Sequence, residues 1–315
     1  MKPKMLQTGD TIGVISPASP SFRSSDVIRG VETLKKWGYK VQLSKNLNKR
    51  KGFVAGTDLE RAEDFNEMFA RKDIDAIFVT QGGYGSARIL KYIDFEVVRR
   101  NPKIFIGFSD ITSLHLAILK KTGLGTFHGP SMSRFNPEEL TSYTQESLFS
   151  VLTKPEPVGV VHLADEKKYI DLIYPGKAEG ILTGGNLTLV CATLGTPYEI
   201  ETAGKILFIE ELDTEPWIID HMLTHLANAG KLREAAGIVV GECINCRPRQ
   251  HNPGYYVDLS TEDLLQEYLK PLKIPAIYGL PIGHTKDMAT LPLGVRVRLN
   301  ADKKELEILE SAVEP

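Results

Sequence analysis

Short apolar runs alternate with amphipathic stretches along the first part of the chain. After Ser25-Asp26, apolar residues recur at the helical period until Gly38, and a second such stretch begins at Thr57. The run 75–79 is apolar after its first residue, as in a strand that is covered on both faces. This alternation predicts an α/β fold with a doubly wound, flavodoxin-like parallel sheet. The predicted strands are 11–15, 40–43, 75–79 and 104–107.

The pattern changes after about residue 135, which we take as the end of an N-terminal domain spanning 1–135. Prolines and charges in 136–175 favour an interdomain connection. A C-terminal mixed α/β domain is predicted over 176–315. Pro216 begins a helix there that extends to about residue 232. Strands are predicted at 205–212, 237–241 and 274–280, and a terminal hairpin at 295–299 and 306–309.

Composition narrows the class of protein. Of the 315 residues, 42% are hydrophobic and 25% charged, and the net charge is −2. A near-neutral chain argues against nucleic acid or an anionic membrane as the main partner. No apolar run approaches the roughly 20 residues that span a bilayer, and the amino end has no apolar signal core. The three cysteines are too few for a disulfide framework, so we expect a cytoplasmic protein.

The segment Gly107-Phe108-Ser109-Asp110 has the layout of a nucleophile elbow. It follows an apolar strand and precedes a helical stretch, which would present Ser109 at the carboxyl end of the sheet. The start of the helix would supply an N–H group for an oxyanion. The second glycine of G-x-S-x-G is missing, because Ile111 stands there. The alternative is a Ser-Asp helix cap.

Other groups compete for the remaining roles. The Gln81–Gly85 loop lacks the spacing of a phosphate-binding motif, yet its glycines would let N–H groups approach an oxyanion. Glu210 lies inside an apolar strand, where an acid could orient a histidine. His284 follows Gly283 in a loop, a frequent setting for a catalytic base, and a surface loop histidine is an equally good interpretation of the same pattern. The histidines are His115, His128, His162, His221, His225, His251 and His284.

Two further patterns have the spacing of a metal or redox site, but each lacks part of its motif. His221 and His225 share a helix face, but Met222 replaces the glutamate of the zinc motif His-Glu-x-x-His. Cys243 and Cys246 have redox or zinc spacing, yet Arg247-Pro248 follows them instead of a helix. Structural roles are favoured for both pairs, and we expect neither a metal nor a cofactor.

Several blocks in one order give the chain its strongest resemblance. Taken together, they resemble the LD-carboxypeptidase family of serine peptidases, which includes murein tetrapeptide carboxypeptidases and microcin C immunity peptidases. The resemblance runs over nearly the whole chain. The blocks are 6–14, 16–19, Gly82-Gly83-Tyr84-Gly85, Gly107-Phe108-Ser109-Asp110-Ile111-Thr112, 127–130, Gly184-Gly185-Asn186-Leu187, 207–211 and Gly283-His284.

The resemblance implies a triad at the interface of the two domains. Ser109 is the nucleophile, His284 the base and Glu210 its orienting acid, with the N–H groups of Asp110 and Gly83 as oxyanion donors. The implied reaction cleaves an L,D peptide bond and releases terminal D-alanine from cytoplasmic murein tetrapeptide. Family members are usually homodimers.

The resemblance leaves the carboxylate-binding group open. Gln81 departs from the arginine that many members carry before the glycine loop, so Arg88 or the turn Gly184-Gly185-Asn186 is expected to bind the substrate carboxylate. The main alternative function is a microcin-immunity amidase acting on an aminoacyl or peptidyl nucleotide, with Trp217 as a possible stacking residue. A non-catalytic ligand-binding module and a zinc hydrolase using His221 and His225 are more distant alternatives.

Overall fold

The computed structural model describes residues 1–136, 139–165, 169–248 and 259–315. Strands in these ranges are β1 (Thr11–Ile15), β2 (Lys40–Leu43), β3 (Ala76–Val79), β4 (Ile104–Gly107), β5 (Thr126–His128), β6 (Gly159–Val160), β7 (Asp171–Tyr174), β8 (Lys177–Asn186), β9 (Ile206–Leu212), β10 (Gly237–Ile244), β11 (Ala276–Leu280), β12 (Leu291–Leu293), β13 (Arg296–Asn300) and β14 (Glu305–Ile308). The α-helices are α1 (Ser24–Lys36), α2 (Asp58–Ala70), α3 (Ser86–Ile89), α4 (Phe95–Arg100), α5 (Thr112–Thr122), α6 (Ser142–Leu152), α7 (Leu187–Ala192), α8 (Pro216–Asn228), α9 (Lys231–Glu234) and α10 (Thr261–Leu269).

The chain forms two compact units. Unit 1 comprises Met1–Pro157, Lys286–Gly294 and Ser311–Pro315, and it holds a six-stranded sheet in the order β12-β5-β4-β3-β1-β2. Strands β2, β1, β3, β4 and β5 are parallel, and their order 2-1-3-4-5 is that of flavodoxin-like sheets. The predicted doubly wound sheet is confirmed. Strand β12 adds an antiparallel edge to β5.

Local sequence explains the elements of unit 1. Strands β3 and β4 are buried throughout, as expected where helices cover both faces of a parallel sheet. Helix α2 begins with a capping box, because Thr57 accepts a bond from the N–H of Glu60 while the Glu60 carboxylate accepts one from the N–H of Thr57. Helix α5 ends at Gly123, whose φ of +73° suits glycine. Loops at the carboxyl ends of β3 and β4 are thereby set on well-packed strands.

Unit 2 comprises Val158–Thr285 and Val295–Glu310 and contains an eight-stranded mixed sheet. Its order is β6-β14-β13-β8-β9-β10-β11-β7, with β8 to β11 parallel and the flanking strands antiparallel. The predicted mixed α/β character and the hairpin of β13 and β14 are confirmed. The predicted helix 216–232 is two helices, because Gly230 turns the chain at φ +76° between α8 and α9.

The compact units divide the chain differently from the predicted domains 1–135, 136–175 and 176–315. The segment expected to connect the domains contains α6, which belongs to unit 1, and β6 and β7, which are edge strands of unit 2. Residues 286–294 return to unit 1, because β12 pairs with β5. Non-local strand pairing, which short sequence windows do not reveal, sets these borders. Residues 137, 138 and 166–168 of the expected connection lie outside the described residues.

Candidate active site

Ser109 lies on a strained turn at the carboxyl end of β4. Its φ is +63°, a left-handed conformation that is costly for a residue with a Cβ. It is half-buried, and it begins a 3-10 helix, Ser109–Ile111, that leads into α5. A strained serine between a strand and a helix is the geometry of a nucleophile elbow. The cap alternative is wrong, because Phe108 is the N-cap residue and no side chain caps this helix.

Close packing explains the glycine before the elbow. A Cβ on Gly107 would lie 2.6 Å from Cγ2 of Val79 and 3.1 Å from the side chain of Ile111. The first glycine of the sequence motif is therefore required by the neighbouring strand.

The Gly82–Gly85 loop follows β3 and packs against the elbow. A Cβ on Gly82 would lie 2.9 Å from Cβ of Ser109 and 3.2 Å from the main-chain nitrogen of Asp110. Gly83 has φ +97°, and a Cβ there would approach Oγ of Ser19 to 2.5 Å. A backbone this close to Ser109 is what a second oxyanion donor requires. Asp110 lies in the first turn of a helix, where N–H groups lack helical partners.

The carboxylate of Asp110 holds the same loop. It is buried and accepts hydrogen bonds from the N–H groups of Gly85, at 3.2 Å, and Ser86, at 2.7 Å. The Ser86 hydroxyl in turn donates to the main-chain oxygen of Asp110. Burial raises the pKa of this carboxyl, and the bonds from Ser86 and Gly85 oppose that rise. The sequence suggested a main-chain N–H donor or a helix cap for Asp110, so the role of its carboxylate in holding the glycine loop was missed.

Glu210 and His284 form a hydrogen-bonded pair in unit 2. Glu210 is fully buried in β9, and its Oε2 lies 2.7 Å from Nδ1 of His284. A neutral imidazole that donates from Nδ1 carries its lone pair on Nε2, which is the state of a general base. Gly283 is at φ +90°, and a Cβ there would overlap Oε2 of Glu210. The glycine before His284 is therefore needed for the pair to form.

A second contact orients the histidine loop. The hydroxyl of Thr285 donates to Oε1 of Glu242 on β10, at 3.0 Å. The buried threonine thus fixes the residue that follows His284. Ser109 and Gly83 belong to unit 1, whereas Glu210 and His284 belong to unit 2, so assembly of the full triad stays a prediction.

Arg88 has a structural partner, and residues 184–186, which were expected to form a turn, are instead the last three residues of β8, paired with β9. The guanidinium of Arg88 donates to Oδ2 of Asp58, at 3.0 and 3.2 Å, so a substrate carboxylate would compete with Asp58. Gly184 has φ +136°, and a Cβ there would overlap the carbonyl of Phe208 on β9. Gly185 is at φ +145°, and Asn186 donates to Oε1 of Glu211 at 3.1 Å. These three residues bring β8 against the strand that carries Glu210.

The histidine pair of the possible zinc motif lies on the surface, and the two cysteines of the possible redox motif are hydrogen-bonded to each other. His221 and His225 are exposed on α8, and in the described part of the chain no three metal-binding side chains group together. A hydrogen bond with Cys246 and burial raise the pKa of Cys243, which keeps that thiol protonated. His251 lies outside the described residues. Within the described ranges, no helix combines the length and apolar character needed to cross a bilayer.

His115 is a buried polar residue beneath the elbow. Its Nε2 lies 2.9 Å from the carbonyl oxygen of Gly107, so the neutral ring donates to the last residue of β4. Burial lowers the pKa of His115 to about 4. Its position on α5, six residues after Ser109, gave no sequence signal apart from the residue type.

The low pKa of His115 predicts acid sensitivity of the fold. Between pH 6.5, the ordinary value, and about 4, the unfolded chain takes up a proton that folded His115 does not. The free energy of unfolding should therefore decrease as the pH is lowered from 6.5 to about 4, by up to roughly 3 kcal/mol. Urea unfolding at pH 7.5, 6 and 5 measures it. His115→Gln should show a shallower decline, and an equal decline in both proteins would contradict this source.

Comparison with known proteins gives a consistent family assignment. Residues 12–129 match the LD-carboxypeptidase N-terminal domain, and residues 179–299 match the LD-carboxypeptidase C-terminal domain. A probable murein peptide carboxypeptidase of Bacillus subtilis is 41% identical, over 99% of this chain and 95% of its own length.

Two solved structures have the same fold. A muramoyltetrapeptide carboxypeptidase from Oxalobacter formigenes is 31% identical with a TM-score of 0.81, covering 95% of this chain and 99% of that one. The microcin C7 self-immunity protein MccF, in complex with aspartyl sulfamoyl adenosine, is 29% identical with a TM-score of 0.88, and both chains are covered fully, at 100%.

Proposed function

Because the chain belongs to the LD-carboxypeptidase family, we propose that it releases a terminal D-amino acid from murein peptides. The protein is a carboxypeptidase, and we assign its nucleophile, base and orienting acid to Ser109, His284 and Glu210. The observation that carries this assignment is the 2.7 Å bond between buried Glu210 and Nδ1 of His284. A buried acid on a histidine nitrogen is the arrangement that prepares a base.

The proposed mechanism is an acyl transfer in two halves. Oγ of Ser109 attacks the carbonyl carbon of the scissile L,D bond while Nε2 of His284 takes its proton. The N–H groups of Asp110 and Gly83 stabilise the oxyanion, and the imidazolium then protonates the departing D-amino acid. A water molecule, deprotonated by His284, releases the acyl group and restores Ser109. Glu210 keeps the ring in its tautomer and stabilises the imidazolium.

The strain at Ser109 supports the role of nucleophile. A left-handed serine costs on the order of 1–3 kcal/mol and persists only where the surroundings impose it. Gly82, packed against Ser109, and Asp110, bound to the glycine loop, impose it here. This arrangement keeps loop and serine in one geometry, as an oxyanion site that must not reorganise requires.

A murein tetrapeptide with terminal D-alanine is the substrate we favour. The relative of Bacillus subtilis at 41% identity and the Oxalobacter formigenes structure both carry murein peptide names. The second candidate is an aminoacyl sulfamoyl nucleoside, which is favoured by the TM-score of 0.88 to MccF in complex with aspartyl sulfamoyl adenosine. Trp217, 41% exposed at the start of α8, is the side chain we would assign to stacking on a base.

A paired assay distinguishes the two substrates. Wild-type protein is given L-Ala-γ-D-Glu-meso-diaminopimelate-D-Ala, the same peptide ending in L-Ala, and aspartyl sulfamoyl adenosine. We expect release of D-alanine from the first peptide, little release of L-alanine from the second, and no effect of EDTA. Faster turnover of the nucleoside would favour the second candidate, and sensitivity to the chelator would contradict a triad mechanism.

The proposal includes a cytoplasmic location and a homodimer. The homodimer comes from the family resemblance, and the location comes from the low cysteine count together with a substrate that arises from murein recycling. Cell fractionation and sedimentation velocity measure the two properties directly.

A further inference from the structure

Arg61 is a buried cation next to the glycine loop. It lies on α2 with only 1% of its surface exposed, a position that is costly for a guanidinium unless protein groups accept its hydrogen bonds; Nη1 and Nη2 have such acceptors, whereas Nε has none among the described residues. Nη1 donates to the carbonyl oxygens of Pro17, at 2.5 Å, and Gly85, at 2.7 Å. Nη2 donates to Oδ1 of Asp58 at 2.5 Å. The Arg61 side chain therefore connects two loops to each other and to the first turn of its own helix, α2.

Gly85 is held from both sides. Arg61 binds its carbonyl, and the carboxylate of Asp110 accepts its N–H. With φ +114°, Gly85 turns the chain into α3, and a Cβ there would lie 2.7 Å from Cγ1 of Val54 and 3.1 Å from Nη1 of Arg61. The end of the Gly82–Gly85 loop therefore has little freedom to move.

The second loop on Arg61 supports the other end of the glycine loop. Pro17 belongs to the segment 16–19, where the N–H of Ser19 donates to the carbonyl of Gly82 at 3.2 Å. The hydroxyl of Ser19 accepts from the N–H of Tyr84, at 3.1 Å, and donates to the carbonyl of Phe53 at 2.8 Å. Both segments that border Gly83 are thus tied, directly or through Ser19, to one guanidinium.

We propose that Arg61 is a positioning residue that sets the N–H of Gly83 for the oxyanion formed on Ser109. The inference rests on the proposed function, and it adds to it a group that touches no substrate. A guanidinium suits the task because its planar fork binds two carbonyls and a carboxylate at once, which a lysine ammonium on a flexible stem does not do. Displacing an oxyanion donor weakens the transition state more than the bound substrate.

Arg61→Lys and Arg61→Ala test this role against a merely structural one. We expect kcat for D-alanine release to fall about 10- to 100-fold in Arg61→Lys while KM stays within about twofold. Millimolar guanidinium should restore part of the kcat of Arg61→Ala. The matched control is Arg71→Lys, because Arg71 at the end of the same helix pairs with Asp73. This control should keep wild-type kcat.

Labelling with a fluorophosphonate separates this inference from the choice of substrate. Oγ of Ser109 attacks phosphorus while Nε2 of His284 takes its proton, fluoride leaves, and the phosphonyl oxygen uses the same N–H donors. If wild type is labelled but releases no D-alanine, the substrate proposal fails, and slow labelling of Arg61→Lys still supports positioning. A folded Arg61→Lys with unchanged kcat and labelling rate would overturn the inference. Absence of both reactions in wild type would overturn the nucleophile and the inference with it.

Discussion

Replacing Ser109 with alanine should lower kcat for D-alanine release by about 10⁴- to 10⁶-fold, as expected when a triad loses its nucleophile. The reason is chemical, since alanine has no Oγ to form the acyl-enzyme. KM should change little if the binding surface is intact. Single-turnover measurements with the tetrapeptide would quantify the residual rate. Ser150→Ala is a matched control, because the Ser150 hydroxyl donates only within α6, to the carbonyl of Ser147.

Ser109→Gly gives this prediction a second readout. Glycine adopts φ +63° without the steric cost that serine has there. The variant should therefore be as inactive as Ser109→Ala and at least as stable as wild type in urea unfolding. Substantial activity in either folded variant would exclude Ser109 as the nucleophile, and marked destabilisation by glycine would contradict the strained turn.

Glu210→Gln should lower kcat by about 10³- to 10⁴-fold. A glutamine amide can donate to Nδ1 of His284, which would favour the tautomer with its proton on Nε2, and that tautomer is unable to accept the proton of Ser109. The loss should persist across the pH range in which wild type is active. A pH–rate profile of kcat measures this directly.

The neighbouring glutamate is a matched comparison for Glu210. Glu211 is also buried, but its carboxylate accepts bonds from the side chain of Asn186 and the N–H groups of Thr188 and Leu212. Glu211→Gln should therefore lower the free energy of unfolding, and its kcat should stay much closer to that of wild type than the kcat of Glu210→Gln does. Equal losses of kcat in the two variants would contradict a specific role for Glu210 on His284.

The local pattern of apolar and turn residues predicted many of the secondary-structure elements. The predicted strands 11–15 and 40–43 match β1 and β2 residue for residue, because apolar runs and turn residues act over short distances. The elbow at Ser109 was predictable for the same reason, since strand, glycine and helix follow one another in the chain. Glu210 was singled out as a charge inside an apolar strand, and β9 confirms that placement.

Other features depend on residues that meet only in the folded chain. Arg61 looks in the sequence like an ordinary charge on a helix, and its burial appears only once Pro17, Gly85 and Asp58 surround it. The return of residues 286–294 to unit 1 depends on the pairing of β12 with β5. Such long-range contacts leave no periodic signal in a window of residues.

The sequence by itself determined the secondary structure around Ser109, the α/β class and, through ordered motifs, the family. The tertiary structure decided which groups those motifs bring together. It placed the Glu210 carboxylate on Nδ1 of His284, 74 residues away, and it used the carboxylate of Asp110 to hold the glycine loop. The physical reason is that backbone propensity is local, whereas a hydrogen bond between side chains requires two distant segments to be packed at a distance of about 3 Å.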